Sequence, residues 1–313
     1  IRTLAAAQAA ALTSGDRIRI AGILHGLGRS DEALRAVREA VEKAPGETEL
    51  RKLQGDLLFE RAASASGGAP DAAALEASRG ALAAYVALFL RSPAKSQETT
   101  QRIPDILLSL ETQGVDTGLV VALRLEYPAA DEASLTSVAE GTRCVFLAKH
   151  RPALDALGTV QPDDGLRPVV SHLLGLSLVG RAAELEAAAR RGTAPSPAAD
   201  RPSEDPARLR AEARTAFEEA AKLGLVASEL ELRGMELDAL KRDQDVPTDL
   251  YSAIEKVSAA PDVEHTGAQL LARASRHRFV ARYPVASVPN SELAGLVGKE
   301  QTALRDAIRR NPQ

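Results

Sequence analysis

Apolar residues in the opening part of the chain recur at intervals of three and four, the spacing of amphipathic helices rather than of strands. Three of them share one face of a predicted first helix: Ile20, Leu24 and Leu27. Gly28 follows at a position where a left-handed residue can end that helix, and Ser30 or Asp31 is placed to cap the next one. A second set of apolar residues at helical spacing follows, and Pro45 ends that predicted helix. The pattern predicts a helical hairpin.

The composition favours an all-α protein in which helix packs on helix. Hydrophobic residues make up 45% of the 313 residues although aromatics reach only 3%, because Ala and Leu, both good helix formers, are abundant. The net charge of -4 excludes a strongly basic, nucleic-acid-binding chain. A single cysteine, Cys144, cannot form an internal disulfide and does not fix the compartment.

Two segments that flank Gly28 match the two helices of a known repeat. The first reads Ile20-Ala21-x2-Leu24, and the second reads Ala33-x3-Val37-x2-Ala40-x4-Pro45. This hairpin resembles the tetratricopeptide repeat, a helix pair of about 34 residues. The same spacings return around Gly55 with Ala81-x3-Tyr85, and around Gly175 with Ala213-x3-Phe217. Prolines recur at intervals of 35 and 34 residues, at Pro93, Pro128 and Pro162.

The resemblance implies a right-handed superhelical array of antiparallel helix pairs, an α-solenoid. We expect an N-terminal helical lead-in over 1–13, about five hairpins over 14–225 with insertions near 62–73 and 185–207, and a helical C-terminal extension or cap over 226–313. In the third unit Pro104 lies where the first helix should run, so its pattern is degenerate. Other families of helical hairpin arrays share this spacing and stay open as alternatives.

No catalytic or metal-binding motif is present at an interpretable spacing. The five histidines lie far apart in the sequence: His25, His150, His172, His265 and His277. Gly298-Lys299 lacks the flanking residues of a phosphate-binding loop, and the pair Asp163-Asp164 suits a turn with a helix cap. Apolar neighbours indicate that Cys144 is a buried, inert thiol rather than a nucleophile. We therefore expect no metal, no cofactor and no enzymatic activity.

Two groups of residues are candidates for partner binding. In tetratricopeptide-like arrays the first helices of the pairs line a concave surface, and the resemblance assigns to it Ile18, Gly22, His25, Lys52, Asp56, Phe59 and Glu60. An arginine-rich segment forms the second group: Arg273, Arg276, Arg278 and Arg282. Because arginine beside aromatic residues suits anionic partners, this segment is either a contact for such a partner or an ordinary solvated helix face.

The sequence thus predicts a non-catalytic scaffold or adaptor, a subunit of a larger bacterial assembly that binds proteins or peptides. An enzyme or small-ligand binder with its site near Tyr251, Arg278 and Tyr283 is the alternative, and a nucleic-acid-contacting repeat protein is disfavoured by the charge. Uninterrupted apolar runs fall short of the roughly 20 residues of a membrane span. Self-association and the compartment, cytoplasm or periplasm, stay open, and Ile1 in place of Met indicates a fragment or a processed chain.

Overall fold

A computed structural model describes residues 13–44, 47–64, 72–91, 97–161, 165–192, 204–241, 244–260 and 264–282. Within these ranges the chain forms 13 α-helices and no strand, so the all-α prediction is confirmed. The helices are α1 Ser14–Gly26, α2 Ser30–Lys43, α3 Thr48–Ser64, α4 Ala72–Arg91, α5 Gln97–Thr112, α6 Leu119–Glu126, α7 Glu132–Phe146, α8 His150–Leu157, α9 Arg167–Arg190, α10 Pro206–Lys222, α11 Val226–Asp238, α12 Thr248–Ser258 and α13 Glu264–Arg282. Most of the predicted lead-in, the last part of the predicted extension, and Pro93 and Pro162 lie outside the described residues.

Local hydrogen bonding explains where the first two helices begin and end. Thr13 and Asp16 form a reciprocal capping box at the start of α1, and Gly28 has a φ of +73° just after its end, as predicted. The predicted cap of α2 is wrong, because Ser30 already lies inside the helix. Arg29 occupies the N-cap position, and its guanidinium Nε donates to Glu32 Oε1 at 2.8 Å.

Helices that follow each other in the chain pack together, and helices two apart also touch. Extensive contacts join α1 to α2, α3 to α4, α7 to α8, α9 to α10, and α12 to α13. The first helices of the pairs contact one another as well, in α1 with α3, α5 with α7, and α7 with α9. The third predicted pair departs from this scheme, because α5 packs mainly on α4 whereas α6 packs on α4 and α7.

One contact recurs between paired helices: a glycine of the first helix lies directly against a bulky side chain of the second. The three instances are Gly55 with Tyr85, Gly141 with Leu157, and Gly175 with Phe217. A Cβ on any of these glycines would lie 2.4 to 2.5 Å from its neighbour, so only glycine allows the helices to approach this closely. Three hairpins are therefore packed in the same way.

The flanking helices extend into both predicted insertions, whose middle parts, 65–71 and 193–203, lie outside the described residues. α3 continues through Ser64 and α4 begins at Ala72, so both ends of the segment 62–73 are helical rather than looped. Similarly, α9 continues through Arg190 and α10 begins at Pro206, within the predicted insertion at 185–207. Long apolar faces that pack on a partner helix favour this outcome, since most helical stability in proteins comes from tertiary packing.

Among the described helices, α4 alone is long and apolar enough to cross a membrane, over Ala72–Leu90. Counting uninterrupted apolar residues missed it, because Glu76 and Arg79 lie inside the segment. Most of the segment is buried within the protein, where Leu82 and Tyr85 are fully inaccessible. This is the packing of a core helix.

The core is divided along the chain rather than concentrated at one centre. One large cluster joins α1 to α9, and a second surrounds Phe217 between α9 and α10. A third, centred on Ile254, joins α11, α12 and α13. Leu232 and Met235 of α11 pack into the second cluster, so α11 covers the outer side of the α9/α10 hairpin and links it to the C-terminal helices.

Candidate functional site

The predicted inner face begins with a contact between α1 and α3. His25 Nε2 lies 3.0 Å from Glu60 Oε2, and both side chains are partly exposed. Of the other two predicted residues of α1, Gly22 is exposed, whereas Ile18 is half-buried and packs against the main core. Lys52 of α3 is half-buried too. The structure therefore brings His25 and Glu60 together at the surface and places Ile18 in a packing role.

Asp56 and Phe59 belong to a polar network that sequence reasoning did not foresee. Tyr85 Oη donates to Asp56 Oδ1 at 2.7 Å, and Arg102 donates to the same oxygen at 2.7 Å. The guanidinium of Arg102 also lies 4.9 Å from the centre of the Phe59 ring, a cation–π distance. Because Tyr85 is buried and donates to Asp56, its pKa is raised. Phe59 is thus a partly buried platform for Arg102.

This network and two others link the odd-numbered helices. Asp56 with Arg102 ties α3 to α5, and Arg143 with Glu111 ties α7 to α5. His172 Nδ1 is hydrogen-bonded to Ser228 Oγ at 2.8 Å, which ties α9 to α11. Together with the helix contacts described above, these bonds make the odd-numbered helices a connected layer from α1 to α11. The residues predicted for partner binding on α1 and α3 lie in its first two helices.

An exposed apolar ridge lies along α1 and its C-cap, on the side of the helix that faces away from His25. Ile20, Ile23 and Leu27 are 39%, 57% and 67% exposed. Of the three residues that share the apolar face in the sequence, Leu24 packs against the core, whereas Ile20 and Leu27 face solvent. Exposed aliphatic residues on neighbouring helical turns are typical of contact surfaces.

The arginine-rich segment is not gathered into one site. Arg273 pairs with Asp238, while Arg278 lies 3.8 Å from Asp245 and stacks 4.6 Å from the Tyr251 ring centre. Arg276 is exposed, and the side chains of Arg282 and Phe279 lie outside the described residues. Two of the four arginines therefore hold α13 against α11, α12 and the segment between them.

Two side chains with catalytic potential, Cys144 and His172, are buried in structural contacts. Cys144 is inaccessible, its Sγ donates to Glu140 Oε1 at 3.2 Å, and burial with that carboxylate raises the pKa of the thiol to about 11. His172 is 3% exposed, and burial lowers its pKa to about 4. In the part of the chain that the structure describes, no group of three or more potential ligands could hold a metal ion.

A groove of about 1040 Å³ lies between α9, α10, α11 and α12, with one contribution from α13. Arg273 is the one predicted site residue that lines it. The other lining residues are Val179, Glu186, Arg210, Ala211, Arg214, Glu231, Arg233, Gly234, Met235, Glu236, Asp238, Ala239, Leu240, Pro247, Asp249, Leu250 and Ala253. Sequence reasoning missed this groove, since five helices contribute to it and no local motif marks it.

Comparison with known proteins adds no relative to this description. No protein family, no curated protein and no solved structure matches the chain.

Proposed function

We propose that the protein is a non-catalytic scaffold, a tetratricopeptide-like solenoid whose helix pairs present an extended surface to partner proteins. The observation that carries this proposal is the repeated glycine contact in three hairpins, which makes the chain a series of similarly packed helix pairs. Arrays of this kind contact their neighbours in sequence and leave long surfaces free for binding. The connected layer of odd-numbered helices supports the same arrangement.

The placement of reactive groups also supports a scaffold over an enzyme. Cys144 and His172 are buried and hydrogen-bonded within the fold. In the region of the alternative enzyme site, Arg278 stacks on Tyr251, and Tyr251 Oη lies 3.0 Å from Ser275 Oγ. These side chains are engaged in holding helices together.

The exposed ridge of Ile20, Ile23 and Leu27 is the surface that we assign to a partner. Its aliphatic side chains gain from leaving water when a partner covers them. Each of the three apolar residues is more exposed than a core role would allow. A partner protein that covers them would bury this apolar area.

The proposal is tested by affinity capture from native extract with the full chain, followed by quantitative mass spectrometry. Ile23→Glu places a charge in the ridge, and we expect it to abolish retention of a specific partner. Leu223→Glu is the matched control. Leu223 is likewise an exposed aliphatic residue, 46% accessible, but it lies at the C-cap of α10, away from the ridge. If the wild-type chain retains no specific protein, the scaffold proposal fails. If both variants retain the partner equally, the ridge is not the binding surface.

A further inference from the structure

The groove between α9 and α13, here called the C-terminal groove, has an uneven distribution of paired charges. Its four arginines each have a carboxylate partner. Arg210 binds Glu186 through two hydrogen bonds of 3.1 and 2.9 Å, and Arg214 donates to Glu236 at 3.0 Å. Arg233 shares Glu236 at 2.8 Å, and Arg273 pairs with Asp238. The arginines of the groove are therefore neutralised by the protein itself.

Two carboxylates of the groove lack such partners. Glu231 and Asp249 make no ion pair or hydrogen bond through their side chains with any residue of the described ranges. Asp249 lies in the first turn of α12, where the helix dipole favours a negative charge. Glu231 lies mid-helix in α11, so no helix terminus compensates it. The groove thus presents two carboxylates that have no salt bridge or side-chain hydrogen bond within the described residues, although Arg273 lies close enough to Glu231 to lower its pKa.

Glu231 is accessible to water yet surrounded by protein. Its side chain is exposed at the groove surface, but desolvation by the neighbouring atoms raises its pKa, more strongly than the nearby Arg273 lowers it. A cation placed beside Glu231 would replace lost hydration with a charge-assisted hydrogen bond. The position is therefore suited to a positively charged group from outside the chain.

Apolar side chains line the same groove. Val179, Met235, Leu240, Leu250 and Ala253 are all half-buried there, so each retains surface that a bound molecule could cover. The volume of about 1040 Å³ lies just above the range for small-molecule pockets, roughly 300 to 1,000 Å³. Size and lining together favour a peptide segment with both apolar and cationic side chains.

We propose that the C-terminal groove binds a basic amphipathic segment of a partner protein, with a lysine or arginine of that segment paired to Glu231 and Asp249 and its apolar residues on Met235, Leu240 and Leu250. The inference rests on the proposed scaffold function and adds a second binding surface to it. It specifies the chemistry of the partner: positive charges separated by aliphatic residues.

A random 16-residue peptide library displayed on phage, selected on the full chain, tests the inference. We expect enrichment of peptides that carry Lys or Arg between aliphatic residues. The strongest peptide, synthesised and measured by fluorescence anisotropy, should lose about tenfold in affinity with Glu231→Gln, because one charge pair is removed at constant shape. Glu255→Gln, an exposed glutamate of α12 outside the groove, is the matched control and should leave the affinity unchanged.

Three results would overturn the inference: no enrichment, enrichment of acidic peptides, or equal binding to wild type and Glu231→Gln. Carbodiimide cross-linking of the full chain alone supplies a further test. A cross-link from Glu231 or Asp249 to Lys299 of the same molecule would mean that the chain's own C-terminal part fills the groove. Repeating the affinity capture with Glu231→Gln separates the two proposals. A partner kept by this variant and lost with Ile23→Glu leaves the scaffold standing without the groove.

Discussion

The single cysteine shows how local packing removes the reactivity of a nucleophile. Cys144 lies in α7 one helical turn after Glu140, and its thiol donates to that carboxylate. Burial and the negative neighbour raise the pKa of the thiol to about 11. The thiolate is the reactive form, and at pH 8 about one buried thiol in a thousand is ionised.

We therefore expect that native protein at pH 8 does not react with a thiol reagent such as 5,5′-dithiobis(2-nitrobenzoic acid) on the timescale in which urea-unfolded protein reacts completely. Absorbance at the thionitrobenzoate band measures one equivalent per chain in urea and none in buffer. Rapid reaction of the native chain would contradict the burial of Cys144 and reopen a catalytic role for it.

Part of this residue-level detail was predictable from the sequence. The apolar residues after Cys144 indicate burial, and the spacing of four from Glu140 places both on one helix face. In contrast, Asp56 and Arg102 are 46 residues apart, and no local pattern pairs them. Arg102, which organises Tyr85 and Phe59, was therefore missed.

At the scale of helices, the glycine contacts set how closely the paired helices approach. A Cβ at Gly175 would lie 2.4 Å from the Phe217 ring, and Phe217 is fully buried, so neither side can move freely. Gly22 in α1 is different, because a Cβ there meets nothing within 4 Å. The same substitution should thus have opposite effects at the two positions.

Gly175→Ala is expected to lower the free energy of unfolding by about 1 to 3 kcal/mol, the range for overpacked cores. Gly22→Ala should raise it by about 0.5 to 1 kcal/mol, because alanine is the better helix former. Urea unfolding followed by circular dichroism measures both. Adding Phe217→Leu to Gly175→Ala should cost less than the sum of the single changes. Equal effects of the two alanine substitutions would mean that the close contact does not exist.

The helix pairs were predictable where small and bulky residues recur at fixed spacing, and not elsewhere. The sequence pattern indicated that Pro104 would disturb the third unit, yet α5 runs through it from Gln97 to Thr112. A proline inside a helix costs about 3 kcal/mol. Four neighbouring side chains of α5 are nearly inaccessible, and their burial offsets that cost: Ile103, Ile106, Leu107 and Leu110.

The predicted third pair, α5 with α6, does not form, and the reason lies in the loop after α5. Gly114 and Gly118 both have positive φ, and α6, which follows them, is only eight residues long. The chain is thereby directed away from α5, and α6 packs on α4 and α7 instead. Periodicity predicts a helix here, but the direction of a short helix depends on the preceding turn and on which apolar surface is free.

At the scale of the molecule, the candidate surfaces depend on contacts between distant parts of the chain. The first helices were assigned to one face from the resemblance, and His25 with Glu60 does join α1 to α3. The residues that line the C-terminal groove are scattered along the chain between Val179 and Arg273. Glu231 stands out among them because each arginine of the groove is paired with another carboxylate. Such pairings are decided by tertiary packing, which the sequence pattern does not encode locally.

His172 is the point where several of these parts meet. Its ring lies 6.1 Å from the Phe89 ring of α4 and 5.6 Å from the Phe217 ring of α10, and Nδ1 is bonded to Ser228 of α11. Phe89 in turn contacts Phe146 of α7 at 4.8 Å. A charge on this imidazole would be placed among aromatic rings from both halves of the described chain, which is why burial lowers its pKa to about 4.

The folded pKa of His172, about 4, lies below the ordinary value of about 6.5, so the unfolded chain takes up the proton more readily. The free energy of unfolding therefore has its full value above pH 6.5. It falls by up to about 3 kcal/mol as the pH falls toward 4, because the unfolded chain binds the proton first. Because glutamine does not titrate, we expect the free energy of unfolding of wild type, measured in urea, to fall relative to that of His172→Gln by up to about 3 kcal/mol between pH 7.5 and pH 4.5. Val170→Ala, a non-titrating change in the same buried turn of α9, should stay parallel to wild type over this range. If His172→Gln also runs parallel to wild type, His172 becomes protonated in the folded protein and the junction of α4, α9, α10 and α11 tolerates its charge.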